Sequence, residues 1–411
     1  MKSNNKFSAM IILVSLLCLF LSSSVSAVSK KGKSVDKFYS YNQKLLCISY
    51  RGDTAYYPEN SLKGVKSALE KGADFVSVSL DKTSDGVFYL CERESLGNVC
   101  NAEAESLSQL KSDEVDNYRC YDVYGNETEY VLTSLDELLN NTDNNDGLIL
   151  DVLSEDKDAV YEILKEKNAL ERVIIRTDDS CDKLLKWADS KSDKVYVIGV
   201  YDGNIIFNTV SSINKITEAE MPAVQYISNN YFNVAFGDFF ANRYLCTANA
   251  RAVAATYSLD LCGQRGDCSD GWNELINKGY SVIETNNIEA FVAYRNESER
   301  LEKLIAELLE KSFYVDPAKY SEVSLSNLKT ARLNCEIDIT PAVISSLDEM
   351  QKDYSQLLFA LEDMKISSGE VDTRGALNIT AGKIVAAVLV GAALLSWQIC
   401  VYKMRKSNKE K

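Results

Sequence analysis

Apolar residues along this chain gather in nine short runs, rich in β-branched and aromatic side chains, with amphipathic stretches between them. The runs predict strands at Leu45–Tyr50, Phe75–Leu80, Val87–Cys91, Leu148–Leu153, Arg172–Thr177, Val195–Val200, Ala223–Ile227, Ala252–Tyr257 and Tyr280–Glu284. Helical periodicity fills the gaps, at Asn60–Lys71, Asp158–Lys167, Asp182–Ser190 and Gly271–Lys278. Near-continuous apolar strands alternating with helices predict a parallel sheet covered by helices on its faces.

Nine runs exceed the eight strands of a (β/α)8 barrel by one. The link Asp81–Gly86 is too short for a parallel crossover, so Phe75–Leu80 and Val87–Cys91 must form an antiparallel hairpin. Counting that hairpin as one barrel strand with an arm leaves eight. A doubly wound open sheet is the alternative, but no Gly-rich phosphate fingerprint follows any strand.

Beyond the last strand, Leu301, Leu304, Ile305, Leu308 and Leu309 form one helical stripe. After a polar break at Pro317, Thr340-Pro341 reads as an N-cap and first-turn proline. Val343, Leu347, Met350, Tyr354, Leu357, Leu361 and Met364 follow as a heptad seam, which predicts one helix over Pro341–Ile366. That seam either packs on the Leu301–Leu309 stripe or mediates self-association.

Both ends of the chain carry targeting signals. Lys2 and Lys6 precede the apolar run Ala9–Leu21, and Val25-Ser26-Ala27 offers a cleavage site, so residues 1–27 read as a signal peptide. Ile384–Val401 is long enough to cross a bilayer, and a basic tail follows it. The pattern is that of a single-pass type I membrane protein of the secretory pathway, facing the lumen or the cell exterior. Ala387 and Gly391 stand in a small-xxx-small spacing, which is also simply common in such helices.

Three facts of composition sharpen this picture. The net charge is −15, which disfavours nucleic acid as a partner. Of 11 cysteines, Cys18 and Cys400 lie in the two terminal apolar runs. The nine that remain predict a largely bridged domain with one thiol left over, with Cys262/Cys268 as a local loop. No Cys-x-x-Cys occurs. Sequons at Asn126, Asn140 and Asn296 predict a glycosylated surface, and Asn378 matches the pattern close to the membrane run.

In a barrel the chemistry sits at the C-terminal ends of the strands. Those ends carry Tyr50-Arg51, Ser77, Ser79, Glu92-Arg93, Asp151, Asp178, Asp202, Asp260 and Glu284. The segments Ser49-Tyr50-Arg51-Gly52, Pro58-Glu59-Asn60, Gly72-Ala73-Asp74, Thr83-Ser84-Asp85-Gly86, Ser134–Leu139, Leu148–Asp151 and Lys278–Thr285, in this order, resemble the glycerophosphodiester phosphodiesterase family. The resemblance covers roughly Tyr41–Tyr294, more loosely in the second half. It implies a TIM-type barrel with a hairpin on strand two, over 41–297. A helical stalk over 298–372, a transmembrane helix over 381–402 and a tail over 403–411 would follow.

The family's catalytic positions fall on altered residues. Its first histidine aligns with Tyr50, and its second, closing the hairpin, with Glu92. Its Glu-x-Asp metal pair aligns with Ser77 and Ser79, and its Glu-x-Lys with Asp151 and Leu153. Arg51, Glu59, Asn60 and Asp151 stay close to pattern, and the chain contains no histidine at all.

Hard divalent cations want several carboxylate oxygens, so one anionic ligand in place of three predicts no bound metal. A tyrosine phenol titrates near 10 and a glutamate near 4.3, neither a match for an imidazole. Each lost role is typically worth about 10²–10⁴ in rate. The expectation is a catalytically inactive ligand- or partner-binding barrel needing no cofactor.

The first alternative is a divergent phosphodiester hydrolase using Arg51, Glu92 and Asp151. Calcium or magnesium would then sit in a displaced cage drawn from Asp81, Asp151, Glu284 and Glu59. The second is a structural or adhesive surface protein acting through Val343–Met364. Plain structural readings also stand: an ion pair of Arg51 with Glu59 or Asp151, Asp151 satisfied by backbone donors, and Tyr50 as core filling.

Overall fold

The computed structural model describes residues 34–39, 45–93, 96–202, 209–227, 251–255, 266–340 and 343–364. They form two compact units divided after Tyr294.

In the first unit every predicted run is a strand. These are β1 (Leu46–Tyr50), β2 (Phe75–Lys82), β3 (Phe88–Leu90), β4 (Gly147–Val152), β5 (Val173–Thr177), β6 (Tyr196–Asp202), β7 (Ala223–Ile227), β8 (Arg251–Ala255) and β9 (Val282–Thr285). Eight are parallel, in the order β1-β9-β8-β7-β6-β5-β4-β2, and a parallel β1–β2 pairing closes the ring. β3 is antiparallel to β2, with Leu80 opposite Leu90. The fold is therefore a closed eight-stranded parallel barrel with helices, not an open sheet. The arm turns through Gly86 at φ +88°, and Gly86 N donates to Thr83 O at 2.9 Å.

Inward-facing positions in a barrel repeat every two residues and stack in layers. The lower layer is apolar: Phe75, Ile149, Ile174, Ala223 and Val282 are all buried in one cluster. Two residues further along the same strands stand Ser77, Asp151, Arg176, Gln225 and Glu284. Every one of these five is polar or charged.

The helix Ser34–Phe38 plugs the bottom, burying Val35 and Phe38 in the apolar layer. Phe38 meets Phe75 edge-on with ring centroids 5.2 Å apart. Burying an aromatic ring this fully is worth about 1.5–3 kcal/mol. Tyr39 donates its hydroxyl to Val197 O at 2.8 Å, and burial pushes its phenol far above its ordinary range. The folded unit thus begins several residues before 41.

The second unit continues the long helix Ile288–Ser312 and adds helices Glu322–Asp338 and Leu347–Glu362. Leu301, Ile305, Leu308 and Leu309 pack with Leu328, Ala331, Cys335, Met350 and Leu357. The heptad seam therefore lies on the Leu301–Leu309 stripe, with the middle helix completing the cluster.

The last helix does not run from Pro341 as expected. It starts at Leu347, where Ser346 caps it by accepting from Glu349 N at 3.3 Å. Val343 stays outside the helix, 41% exposed, and residues 341–342 lie outside the described set. Among the described residues no helix is long and apolar enough to cross a membrane. The runs Ala9–Leu21 and Ile384–Val401 lie outside those residues.

The sequence predicts a largely bridged domain; Cys91, Cys100, Cys120, Cys181 and Cys335 are buried, and the structure draws no S–S bond at these five. Cys262 is outside the described residues, and so is the Cys262/Cys268 loop. The sequon asparagines Asn126, Asn140 and Asn296 are all exposed.

Candidate functional site at the barrel mouth

The loop after β1 sets the rim of the site. Arg51 and Asn60 both adopt left-handed backbone conformations, with φ of +59° and +55°. Hydrogen bonds hold them there. Arg51 N donates to Ser77 O, Asn60 N donates to Arg51 O, and Asn60 Oδ1 accepts from Ser79 N at 3.1 Å. Gly52 follows at φ +89°, and a Cβ there would come within 2.9 Å of the Gly64 backbone. The Arg-Gly and Pro-Glu-Asn motif is thus first a lock on this loop. Asn60 serves the lock and is 1% exposed.

The locked backbone aims Arg51 across the rim. Its Nη1 donates to both oxygens of Glu59 at 3.0 and 3.1 Å, its Nη2 donates to Glu92, and its guanidinium lies 4.6 Å from the centre of the Tyr50 ring. Burial works against the Arg51 charge, but Glu59, Tyr50 and Glu92 hold its pKa above the ordinary guanidinium value. Burial pushes the Tyr50 phenol up to about 12, although Arg51 pulls the other way. The ion pair with Glu59 is present, and the second partner is Glu92 rather than Asp151.

Below the rim, the polar layer is one connected network. Arg176 donates through Nε and Nη2 to the two oxygens of Asp151, the latter at 2.7 Å. Its Nη2 also reaches Glu284 Oε1 at 3.2 Å, and its Nη1 donates to Gln225 Oε1. Gln225 Nε2 donates to Glu284 Oε2 at 2.6 Å, and Ser77 Oγ donates to Glu284 Oε1 at 2.7 Å. Gln225 and Glu284 are fully buried, and Arg176 is 5% exposed. Asp151 keeps 29% of its side chain exposed, yet it sits deep in the barrel. Burial raises its pKa, against the pull of Arg176. Its partner is a side-chain guanidinium, not the backbone donors expected.

Arg176 and Gln225 were not among the anticipated site residues. Their traces in the sequence are a charge directly after the apolar run Val173–Ile175, two residues past an inward isoleucine, and a single polar residue within Ala223–Ile227. Of the remaining candidates, Ser79 faces Asp151 in register but spends its backbone on Asn60 and Cys91. Asp81 is buried on the hairpin, where it accepts from Lys82 N at 2.9 Å, and burial raises its pKa. Asp178 accepts from Ser154 N at 2.8 Å. Asp260 lies outside the described residues.

Among the described residues no three His, Cys, Asp or Glu side chains stand where they could share a metal ion. The two carboxylates in the polar layer already share a guanidinium. A divalent cation would have to displace Arg176 from a buried position and then meet its charge. This donor set does not fit a calcium or magnesium ion.

The polar rim and buried network at the C-terminal mouth define the class: a parallel (β/α)8 barrel with its candidate site on the strand ends. Residues 51–200 match the profile of the Glycerophosphoryl diester phosphodiesterase family. That likeness runs from the loop after β1 into β6 and leaves the second half of the barrel unmatched.

A glycerophosphodiester phosphodiesterase of Caldanaerobacter subterraneus is 35% identical over 60 residues, which is 15% of this chain and 25% of that protein. The chain thus spans a quarter of the curated relative it matches. Among solved structures, a glycerophosphodiester phosphodiesterase of Agrobacterium tumefaciens has a TM-score of 0.47 at 16% identity, covering 61% of this chain and 99% of that one. A glycerophosphoryl diester phosphodiesterase of Parabacteroides distasonis has a TM-score of 0.49 at 17% identity, covering 64% and 90%.

Proposed function

We propose that this barrel no longer hydrolyses phosphodiesters and serves as a ligand- or partner-binding module. It would be presented on the lumenal or outer face of a secretory-pathway membrane by the helix at 381–402. One observation carries the reading: the guanidinium of Arg176 is bound between Asp151 and Glu284. The family resemblance places a divalent cation beside Asp151. Here a fixed side-chain cation is shared by the same carboxylates, so a divalent ion would meet only a reduced negative charge and the repulsion of a buried guanidinium.

Proton transfer fares no better. Tyr50 stands where an imidazole is expected, and a phenol at about 12 is a poor base near neutral pH. Arg51 remains the candidate for an anionic ligand group, such as a phosphate. Both oxygens of Glu59 accept from its Nη1, whereas Glu92, 47% exposed, is the partner that an incoming anion can replace. The exposed sequons support a glycosylated lumenal face. The seam over Val343–Met364, largely covered within its own unit, favours a folded stalk over an adhesive stripe.

The test is an assay of the glycosylated, purified chain against a panel of glycerophosphodiesters, with calcium or magnesium added. No turnover above background is expected. Hydrolysis that Arg51→Ala and Asp151→Ala both abolish would establish the divergent hydrolase instead.

A further inference from the structure

The arm between β3 and β4 carries a small core of its own, with Leu96, Val99, Leu107 and Val115 buried alongside three cysteines. It is built from the four-residue helices Leu96–Val99 and Ser112–Val115, one 3-10 turn and isolated bridges. The arm spans residues 91–146, and below about 70–80 residues a single apolar core supplies little stability, so small folds usually add a covalent or metal staple.

Cys100 and Cys120 face each other across one of those bridges, in antiparallel sense. The hydrogen bonds are made by their neighbours: Asn101 N donates to Arg119 O at 3.0 Å, and Tyr121 N donates to Val99 O at 2.7 Å. The two cysteines are therefore a non-hydrogen-bonded pair, whose Cα atoms approach to about 4.5 Å. Disulfides span about 4.4–6.8 Å between Cα atoms. Directly opposed residues project from the same face of a ladder. Both are buried in one cluster, at 0% and 1% exposure.

Cys91 shares that cluster but not the register. Its N–H donates to Ser79 O at 2.9 Å, and its Sγ contacts Glu92 O at 3.4 Å.

We propose that Cys100 and Cys120 form a disulfide that staples this arm, while Cys91 remains a thiol. Forming it removes two protons and two electrons from the pair. The acceptor is a second disulfide, of glutathione or of a dithiol oxidoreductase, which is reduced to two thiols through a mixed intermediate. Burial holds the folded Cys120 thiol up at about 12 and raises Cys100 as well. Exchange proceeds through the thiolate, so the bond forms while the arm is folding and is shielded afterwards.

The full chain, expressed through a secretory host, tests this directly. It is denatured without reductant, alkylated, deglycosylated and cut with trypsin. Cleavage after Lys82, Arg93, Lys111 and Arg119 places Cys91, Cys100 and Cys120 in three separate peptides. The expected result is a linked Cys100–Cys120 peptide pair, two hydrogens lighter than its parts, with Cys91 alkylated. Alkylation of both Cys100 and Cys120, or linkage of Cys91 to either, would overturn the proposal. A Cys100→Val, Cys120→Val double variant keeps the site apolar. Native trypsin cleavage after Lys111 and Arg119 should rise at least about tenfold in it, and an unchanged rate would show that no staple existed. Mapping of the parent chain decides the question even if that variant fails to fold.

Discussion

The barrel and the helical unit each bury a carboxylate, and they treat it in opposite ways. In the barrel, Asp151 and Glu284 share Arg176, while Ser77 donates to the same Glu284 oxygen and Gln225 to the other. In the helical unit, Asp338 is 6% exposed and has the Ser345 hydroxyl as a compensating donor, while Asp353 and Glu349 repel it. It also ends its helix, where the dipole is unfavourable to an anion. Burial, with those neighbours adding to it, lifts the Asp338 carboxyl to about 6. The contrast teaches that burial alone does not decide the cost of a charge. What decides it is whether the fold supplies a counter-charge at hydrogen-bonding distance.

The largest effect should come from breaking the compensated site. Arg176→Ala leaves two buried carboxylates without their cation, and removing one partner of such a network costs about 3–5 kcal/mol. The pH dependence separates this from mere loss of packing. Burial already raises Asp151, and without Arg176 the rise must be larger. A raised carboxyl means the folded state binds more protons than the unfolded one, so stability falls as pH climbs through the raised value. The deficit of Arg176→Ala should therefore widen from acid to neutral pH in denaturant titrations. Ile174→Val, two residues away in the apolar layer, should cost about 1 kcal/mol at every pH. A deficit for Arg176→Ala that is equally flat would mean that the network is not held by charge.

The site without a counter-charge predicts a gain. Asp338 titrates at about 6 when folded and near 3.8 when unfolded, so its favourable contribution is complete below the lower value and lost as pH rises through the upper. Asp338→Asn removes that loss while preserving shape. Near neutral pH it should stabilise the helices Glu322–Asp338 and Leu347–Glu362 by on the order of 2 kcal/mol. Below about pH 4 it should do nothing. Hydrogen exchange of those helices, read at both pH values, checks the claim. Equal protection of variant and parent near neutral pH would remove Asp338 as a liability.

The strands were far more legible than the site they carry. Every strand showed because parallel strands buried on both faces are nearly unbroken apolar runs, and the short Asp81–Gly86 link dictated the hairpin. Arg176 and Gln225 hid inside such runs. One polar residue in an apolar strand reveals neither its face nor its neighbours, since inward layers mix strands through the stagger of the barrel. The positive φ of Arg51 left no mark either, because arginine is not a residue that advertises that conformation.

In the second unit the helix Glu322–Asp338 escaped notice, as its inward stripe is narrow and partly small: Leu328, Ala331 and Cys335. Thr340-Pro341 imitated a helix start, while the real one came from Ser346 and Glu349 three residues on.

The rim pair gives the smallest effect on stability and the sharpest on function. Arg51 is 14% exposed and Glu92 47% exposed, so water screens their attraction. Such exposed pairs contribute about 0.2–1 kcal/mol, less in high salt. Glu92→Gln should therefore barely move the melting temperature. It should still leave Arg51 with only Glu59 as a carboxylate partner, and so lower the cost of bringing an anion to the rim. If Arg51 receives the ligand's phosphate, a glycerophosphodiester should bind up to about fivefold tighter to Glu92→Gln, since 1.4 kcal/mol is a factor of ten. The gain should fade as salt is raised and vanish in an Arg51→Ala background. Tighter binding that survives without Arg51 would place the ligand elsewhere, and leave the rim guanidinium as no more than a brace for the loop that carries it.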